Sequence, residues 1–320
     1  MAYTAGDTIL DDEYNTFANN SSSPFGYNHF AGTGSGRYGL GESAISTVAA
    51  GGTVLASQWN TLFTGMSTIA GHTADTLTSR SAISGGDTIA IAAAVATDLA
   101  TLAASVEAGS PNTTAVTTSS TLQTGTSSST WTGVFTTTFT ATFASANAFR
   151  FFCNAGGKLR VHMARTGNGG DGGGATGKDN EWDAIYTAVG NIDIASKQST
   201  RSGSGETLTT NGLSTGLSDL TTSNATIITV SSDTYPYTSN SLKVEAKLND
   251  TFGSATIVTI IVTATDGAAE FTFSNPGSAD AQAYRNGTHQ HYLKSIDTTT
   301  GGGLANAYAP ASTTQSASTS

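Results

Sequence analysis

Charge is scarce in this 320-residue chain. Only 11% of its residues are Asp, Glu, Lys or Arg, against roughly a quarter in an ordinary soluble domain. The balance is acidic, with a net charge of −10 and a pI of about 4.7. There is no cluster of Lys and Arg, so the phosphate-neutralising surface of a nucleic-acid binder is missing. Cysteine is nearly absent. Cys153 stands alone, which excludes an intramolecular disulfide, and its apolar neighbours suggest a small buried hydrophobe. No apolar run is long enough for a transmembrane helix. The first residues lack the basic region and apolar run of a signal peptide. The expectation is a protein that folds in a reducing cytoplasm, without nucleic acid and without membrane insertion.

Gly, Ser, Thr and Ala take the place of charge. Hydrophobic residues make up 37%, with 13 Phe and 10 Tyr, so a core is available. Low charge argues against charge-driven disorder. Thr-rich, β-branched sequence punctuated by glycine favours strands. An uncharged, hydroxyl-rich surface also suits large complexes, where each charge would need desolvation at an interface.

A phrase repeats near the N-terminus. Residues 5–17 read AGDTILDDEYNTF and residues 49–63 read AAGGTVLASQWNTLF. Thr8, Ile9, Leu10, Tyr14, Asn15 and Thr16 align with Thr53, Val54, Leu55, Trp59, Asn60 and Thr61. A weaker echo lies at 84–102. One aromatic and one Asn in register describe a packing or docking unit. Asp11 or Asp12 can cap a short helix in the first copy, and Ser57 one carrying Trp59, Leu62, Phe63 and Met66 in the second. Between them, GYNHFAGTGSGRYGLG at 26–41 suggests an extended segment lying against another surface. Residues 87–108 form a helix candidate, with Ile91, Val95, Leu99, Leu102 and Val106 on one stripe. Residues 1–110 are thus a helical and irregular docking or oligomerisation region. Tyr14, Tyr27, Phe30 and Trp59 are its candidate interface anchors; the alternative is that these aromatics form ordinary intrachain core.

Residues 111–129 read as a linker. Period two begins at 130, with Trp131, Phe135, Phe139 and Phe143 on one face. Phe149, Phe151 and Cys153 alternate too, and Leu159, Val161 and Met163 follow the turn Asn154-Ala155-Gly156-Gly157, which predicts a β-hairpin. A glycine loop precedes a helix striped by Trp182, Ile185, Tyr186 and Val189, with Gly190 as its C-cap. Residues 195–223 read as polar and loop-like. Further strands are predicted at 225–230, 242–248, 257–265 and 270–273. Residues 130–277 therefore form one antiparallel, sandwich-like β domain with an inserted helix, and the fold class is mainly β. Residues 278–320 read as a polar C-terminal tail.

Four local patterns raise chemical questions. Gly172 to Lys178 fits GxxxxGK, but Asp179 replaces the magnesium-binding Ser or Thr, and an antiparallel context is wrong for a phosphate loop; a surface loop is the simpler reading. His289 and His291 would share a face in an extended segment. Three chains would then offer six imidazole nitrogens to a transition metal on a trimer axis; the plainer reading is two exposed histidines in a tail. Asp179, Glu181 and Asp183, with Asp171, could hold calcium, but acids at a helix N-terminus also complement its dipole. Lys158, Arg160, His162 and Arg165 read as a solvated strand face rather than an anion site. No Ser-His-Asp, HExxH or GxSxG signature is present. The expectation is no enzyme and no cofactor beyond that axial metal.

The segment AFRFFCNAGGKLRVHMARTG at 148–167, followed by the Gly loop and Glu181-Trp182, resembles a module of tailed-phage structural proteins. Phe151, Phe152, Asn154, Gly156, Gly157, Leu159, Arg160, Arg165 and Trp182 match its pattern, while Cys153 stands where Phe is expected. The N-terminal phrases and GTGSGRYGLG resemble a block in phage virion proteins. Together these cover about residues 1–75 and 145–190. The resemblance implies assembly rather than catalysis: a tail-associated virion component (fibre, baseplate or neck), assembled in the host cytoplasm. It would be homo-oligomeric, with a trimer favoured, and docked on other virion proteins. The alternatives are a host-receptor or carbohydrate-binding module and a capsid-decorating protein. A polysaccharide depolymerase would need a carboxylate pair in a groove, and acids are sparse in 130–165.

Overall fold

The computed structural model describes residues 11–32, 39–85, 92–108, 116–127, 131, 133–167, 177–235, 237–267, 287–298 and 308–320. The chain divides into two compact units. The first comprises residues 1–117, 147–157 and 297–309; the second comprises 118–146, 158–296 and 310–320.

The first unit is helical. It contains α1 (Asp11–Asn19), α2 (Tyr27–Phe30), α3 (Ala56–Thr73), α4 (Ala92–Ala108) and α5 (Ala146–Asn154). Both copies of the repeated phrase lead into helices; α1 begins at Asp11, and the residue before it lies outside the described residues. The second copy is capped differently from the expectation: Leu55 occupies the N-cap, and Gln58 Oε1 accepts from its N–H at 2.8 Å. The core joins Tyr14, Phe17, Tyr27, Phe30, Trp59, Leu62, Met66, Leu99 and Leu102, all buried. Gly65 lets Tyr27 lie against α3, since a Cβ there would come within 2.7 Å of the ring.

Helix α5 overturns the predicted hairpin. Its sequence AFRFFC satisfies period two, but Phe149, Phe152 and Cys153 also satisfy helical spacing, and short apolar runs do not discriminate between the two. Ala148, Phe149, Phe151, Phe152 and Cys153 are all buried. The glycines after Asn154 close a helix. Gly156 has φ +83°; its N–H reaches Cys153 O at 3.1 Å, and Gly157 N–H reaches Phe152 O at 2.8 Å. That is a Schellman C-cap.

The second unit is mostly β, with two antiparallel sheets. One has the order β1-β10-β3-β4-β5, formed by Val116–Thr126, Thr288–Thr298, Lys158–Thr166, Ile192–Ile194 and Ser199–Arg201. The other has the order β11-β2-β9-β8-β7-β6, formed by Ser312–Thr319, Val134–Thr142, Ile257–Thr265, Ser241–Leu248, Ala225–Ser231 and Thr207–Asn211. Strands β2, β8 and β9 alternate buried and half-buried residues without a break, so the period-two reading of Phe135 and Phe139 holds. Helix α6 (Gly177–Val189) ends at Gly190, whose φ is +60° and whose N–H reaches Tyr186 O at 2.9 Å. The predicted C-cap therefore stands.

Four further segments differ from the sequence reading. Within 26–41, expected to be extended, residues 27–30 form α2. Residues 278–320 contain β10 and β11 rather than tail alone, and 111–129 contains β1. Residues 195–223 carry the short strands β5 and β6. The strand expected at 270–273 lies outside the described residues. Among the described residues, no helix is long and apolar enough to cross a membrane.

Candidate functional site

In the first unit, the two phrase copies pack on each other. Tyr14 and Trp59 meet edge to face, with ring centroids 5.4 Å apart. Tyr14, Phe30 and Trp59 are 0% exposed and Tyr27 is 2%. The four candidate anchors therefore sit inside the unit, which is the intrachain-core alternative; their area is already spent on folding.

The repeated asparagines act alike. Asn15 donates to Val48 O and accepts from Val48 N–H, both at 2.8 Å. Asn60 does the same to Ile83, at 2.9 and 2.8 Å. Asn28 on α2 holds Ile45 in the same way, both bonds at 2.8 Å. Each amide replaces the donor–acceptor pair of a neighbouring strand. Two extended straps result, one held at Ile45 and Val48 and one at Ile83. On the second strap, Asp98 of α4 accepts from Thr78 N–H at 3.0 Å and pairs with Arg80.

Asn60→Ala is expected to lower stability by about 2–3 kcal/mol, because two bonds vanish and a half-buried backbone pair loses its partners. Asn60→Asp should fall between, since it keeps the acceptor only. Urea unfolding of the three proteins measures this. A loss under about 0.5 kcal/mol for alanine, within the scatter of ordinary surface substitutions, would contradict the clamp.

Two segments far apart in sequence also meet here. Asn154 Nδ2 donates to Gly39 O at 2.6 Å across 115 positions of sequence. Tyr308 donates to Gly41 O at 2.6 Å. Gly41 has φ +82°, and a Cβ there would strike Tyr308 and Phe151. Cys153 is buried beside them, and burial pushes its thiol pKa up, so it is a poor nucleophile.

In the second unit, His289 and His291 do share a face, as the period of a strand requires. It is the inward face: both are 0% exposed. The Tyr186 hydroxyl of α6 lies 2.8 Å from His289 Nδ1 and 3.0 Å from His291 Nε2. His291 Nδ1 lies 3.0 Å from Thr137 Oγ1 of β2. One phenol carries one proton, so Tyr186 donates to one imidazole and accepts from the other. Trp131 and Trp182 pack on His289 at 4.9 and 4.8 Å. Burial lowers the His291 pKa to about 3. Both nitrogens of His291 are engaged inside the unit, which corrects the exposed-tail and axial-metal placements. Among the described residues no group of three His, Cys, Asp or Glu is arranged to hold a metal.

Three of the four basic residues of β3 are used within the unit. Arg160 grips Asp193 with bonds of 2.6 and 2.8 Å. Arg165 binds Asp183 at 2.9 Å, and His162 Nδ1 lies 2.8 Å from Asn191 Oδ1. Glu181 is buried and Asp183 is exposed. Asp171 and most of the glycine loop lie outside the described residues, as do the side chains of Lys178 and Asp179. Sequence reasoning missed the Tyr186 cluster and the purpose of the asparagines. The recurrence of Asn at the same place in both phrases was the available signal for the latter.

Compared with known proteins, the chain matches no family model, no curated protein and no solved structure.

Proposed function

We propose that this protein is a structural component of a tailed-phage particle, tail-associated as a fibre, baseplate or neck element, working by docking and self-association. The observation that carries the reading is the Asn154–Gly39 bond. It joins Gly39 of the N-terminal block to Asn154 of the aromatic-rich segment, two stretches that both carry the resemblance to phage virion proteins. The other singled-out residues fit the same reading. The phrase repeat makes a packing unit, and its asparagines hold straps instead of reacting. Low charge reduces the desolvation that each interface would demand.

The test is the composition of purified particles. Gradient-purified phage from the producing host should contain this chain at a fixed stoichiometry, and gold-labelled antibody should mark the tail. A chain abundant in the lysate and absent from the particles would contradict the proposal.

A further inference from the structure

A groove of about 340 Å³ opens in the second unit between β3 and α6. It lies where β4 stops pairing with β3, beyond the Val161–Ile192 pair. His162, Asp183, Thr187 and Asn191 line it. Each retains hydrogen-bonding capacity. Arg165 reaches Asp183 Oδ1 through Nε at 3.0 Å and Nη2 at 2.9 Å, so Oδ2 remains an acceptor. With Asn191 Oδ1 accepting, His162 Nδ1 carries the proton and Nε2 presents a lone pair. Asn191 keeps its amide donors, and the exposed Thr187 hydroxyl offers both roles. Tyr292, in register opposite His162, holds its half-exposed ring tilted to the imidazole 5.5 Å away, and Lys294 Nζ lies 5.9 Å from that ring's centroid.

This set excludes most ligand classes. Asp183 consumes the one guanidinium lining the groove and repels anions. A single free carboxylate oxygen is too little for a cation. A wholly apolar guest would leave these four hydrogen-bonding side chains unpaired. What remains is a neutral ligand whose groups donate and accept at once, as sugar hydroxyls do. The geometry points to a neutral-sugar binding subsite formed by His162, Asp183, Thr187 and Asn191. The inference does not rest on the assembly reading: a virion protein or any other could carry it.

Saturation-transfer NMR on the full chain, with the methyl glycosides of glucose, galactose and N-acetylglucosamine as probes, tests it. Transfer to at least one of the three is expected. Thr187→Trp fills the groove from an exposed helix position that makes no side-chain hydrogen bond, and should abolish transfer while leaving the far-UV spectrum unchanged. Asp183→Asn should weaken the dissociation constant about tenfold, the effect of losing one bond to a charged group. No transfer from any of the three sugars would overturn the subsite. So would transfer that persists undiminished in both variants.

Discussion

Asp98→Ala should destabilise the first unit by about 3–5 kcal/mol, the usual result of stripping one partner from a buried ion pair. The Asp98 carboxylate accepts from Thr78 N–H at 3.0 Å and from the Thr78 hydroxyl at 3.3 Å, and it pairs with Arg80. Both side chains are less than a tenth exposed. Arg80 also lies over the Phe63 ring, 5.3 Å from its centroid. Such a loss is a large part of the 5–15 kcal/mol that holds a typical domain. Asp98→Asn should cost less, because an amide oxygen still accepts from the strap. The double change Asp98→Leu with Arg80→Leu should recover much of the loss, because no charge is then left buried. Denaturant unfolding followed by Trp59, the only tryptophan of this unit, reads the effect. A loss under about 1 kcal/mol, the range of exposed pairs, would show that the strap is held elsewhere.

The second unit should lose stability in mild acid. The folded state refuses a proton at His291 until about pH 3, whereas the unfolded chain accepts it near 6.5. Between those values unfolding takes up a proton. Stability is therefore full above about pH 6.5 and falls by roughly 1.4 kcal/mol per unit as pH drops toward 3. The groups facing the ring offer no relief. Tyr186, Thr137 and Phe135 face it, and none is a carboxylate. Between pH 6.5 and 5 ordinary carboxylates stay ionised, so a loss of about 2 kcal/mol there belongs to histidine. Urea midpoints at the two pH values measure it, and His291→Gln, which cannot titrate, should flatten the slope. An equal slope in wild type and variant would place the proton elsewhere.

The sequence revealed the parts whose periodicity is clean. Phe135 and Phe139 alternate with threonines, and β2 follows. Trp182, Ile185, Tyr186 and Val189 stripe α6, and Gly190 ends it. The repeat declared itself through Tyr14, Asn15, Trp59 and Asn60, although it builds an interior rather than a docking surface. Where apolarity was ambiguous, the reading failed. Phe149, Phe151 and Cys153 fit period two while Phe149, Phe152 and Cys153 fit a helix, and the Schellman cap at Gly156 and Gly157 favours the helix. Histidine hid β10: His289 and His291 occupy inward positions, and polar letters there look like tail. Strand β11 reads STTQSAST, and its sheet edge is almost wholly exposed, so it shows no hydrophobic pattern at all. The straps were invisible because side-chain clamps at Ile45, Val48 and Ile83 leave no local signature in the residues they hold.

The central claim is a structural role by self-association, and the mass of the full chain in solution tests it most directly. Light scattering across a concentration series should give a stable particle of three times the 32.3 kDa chain mass. A mass of one chain at every concentration would contradict the account.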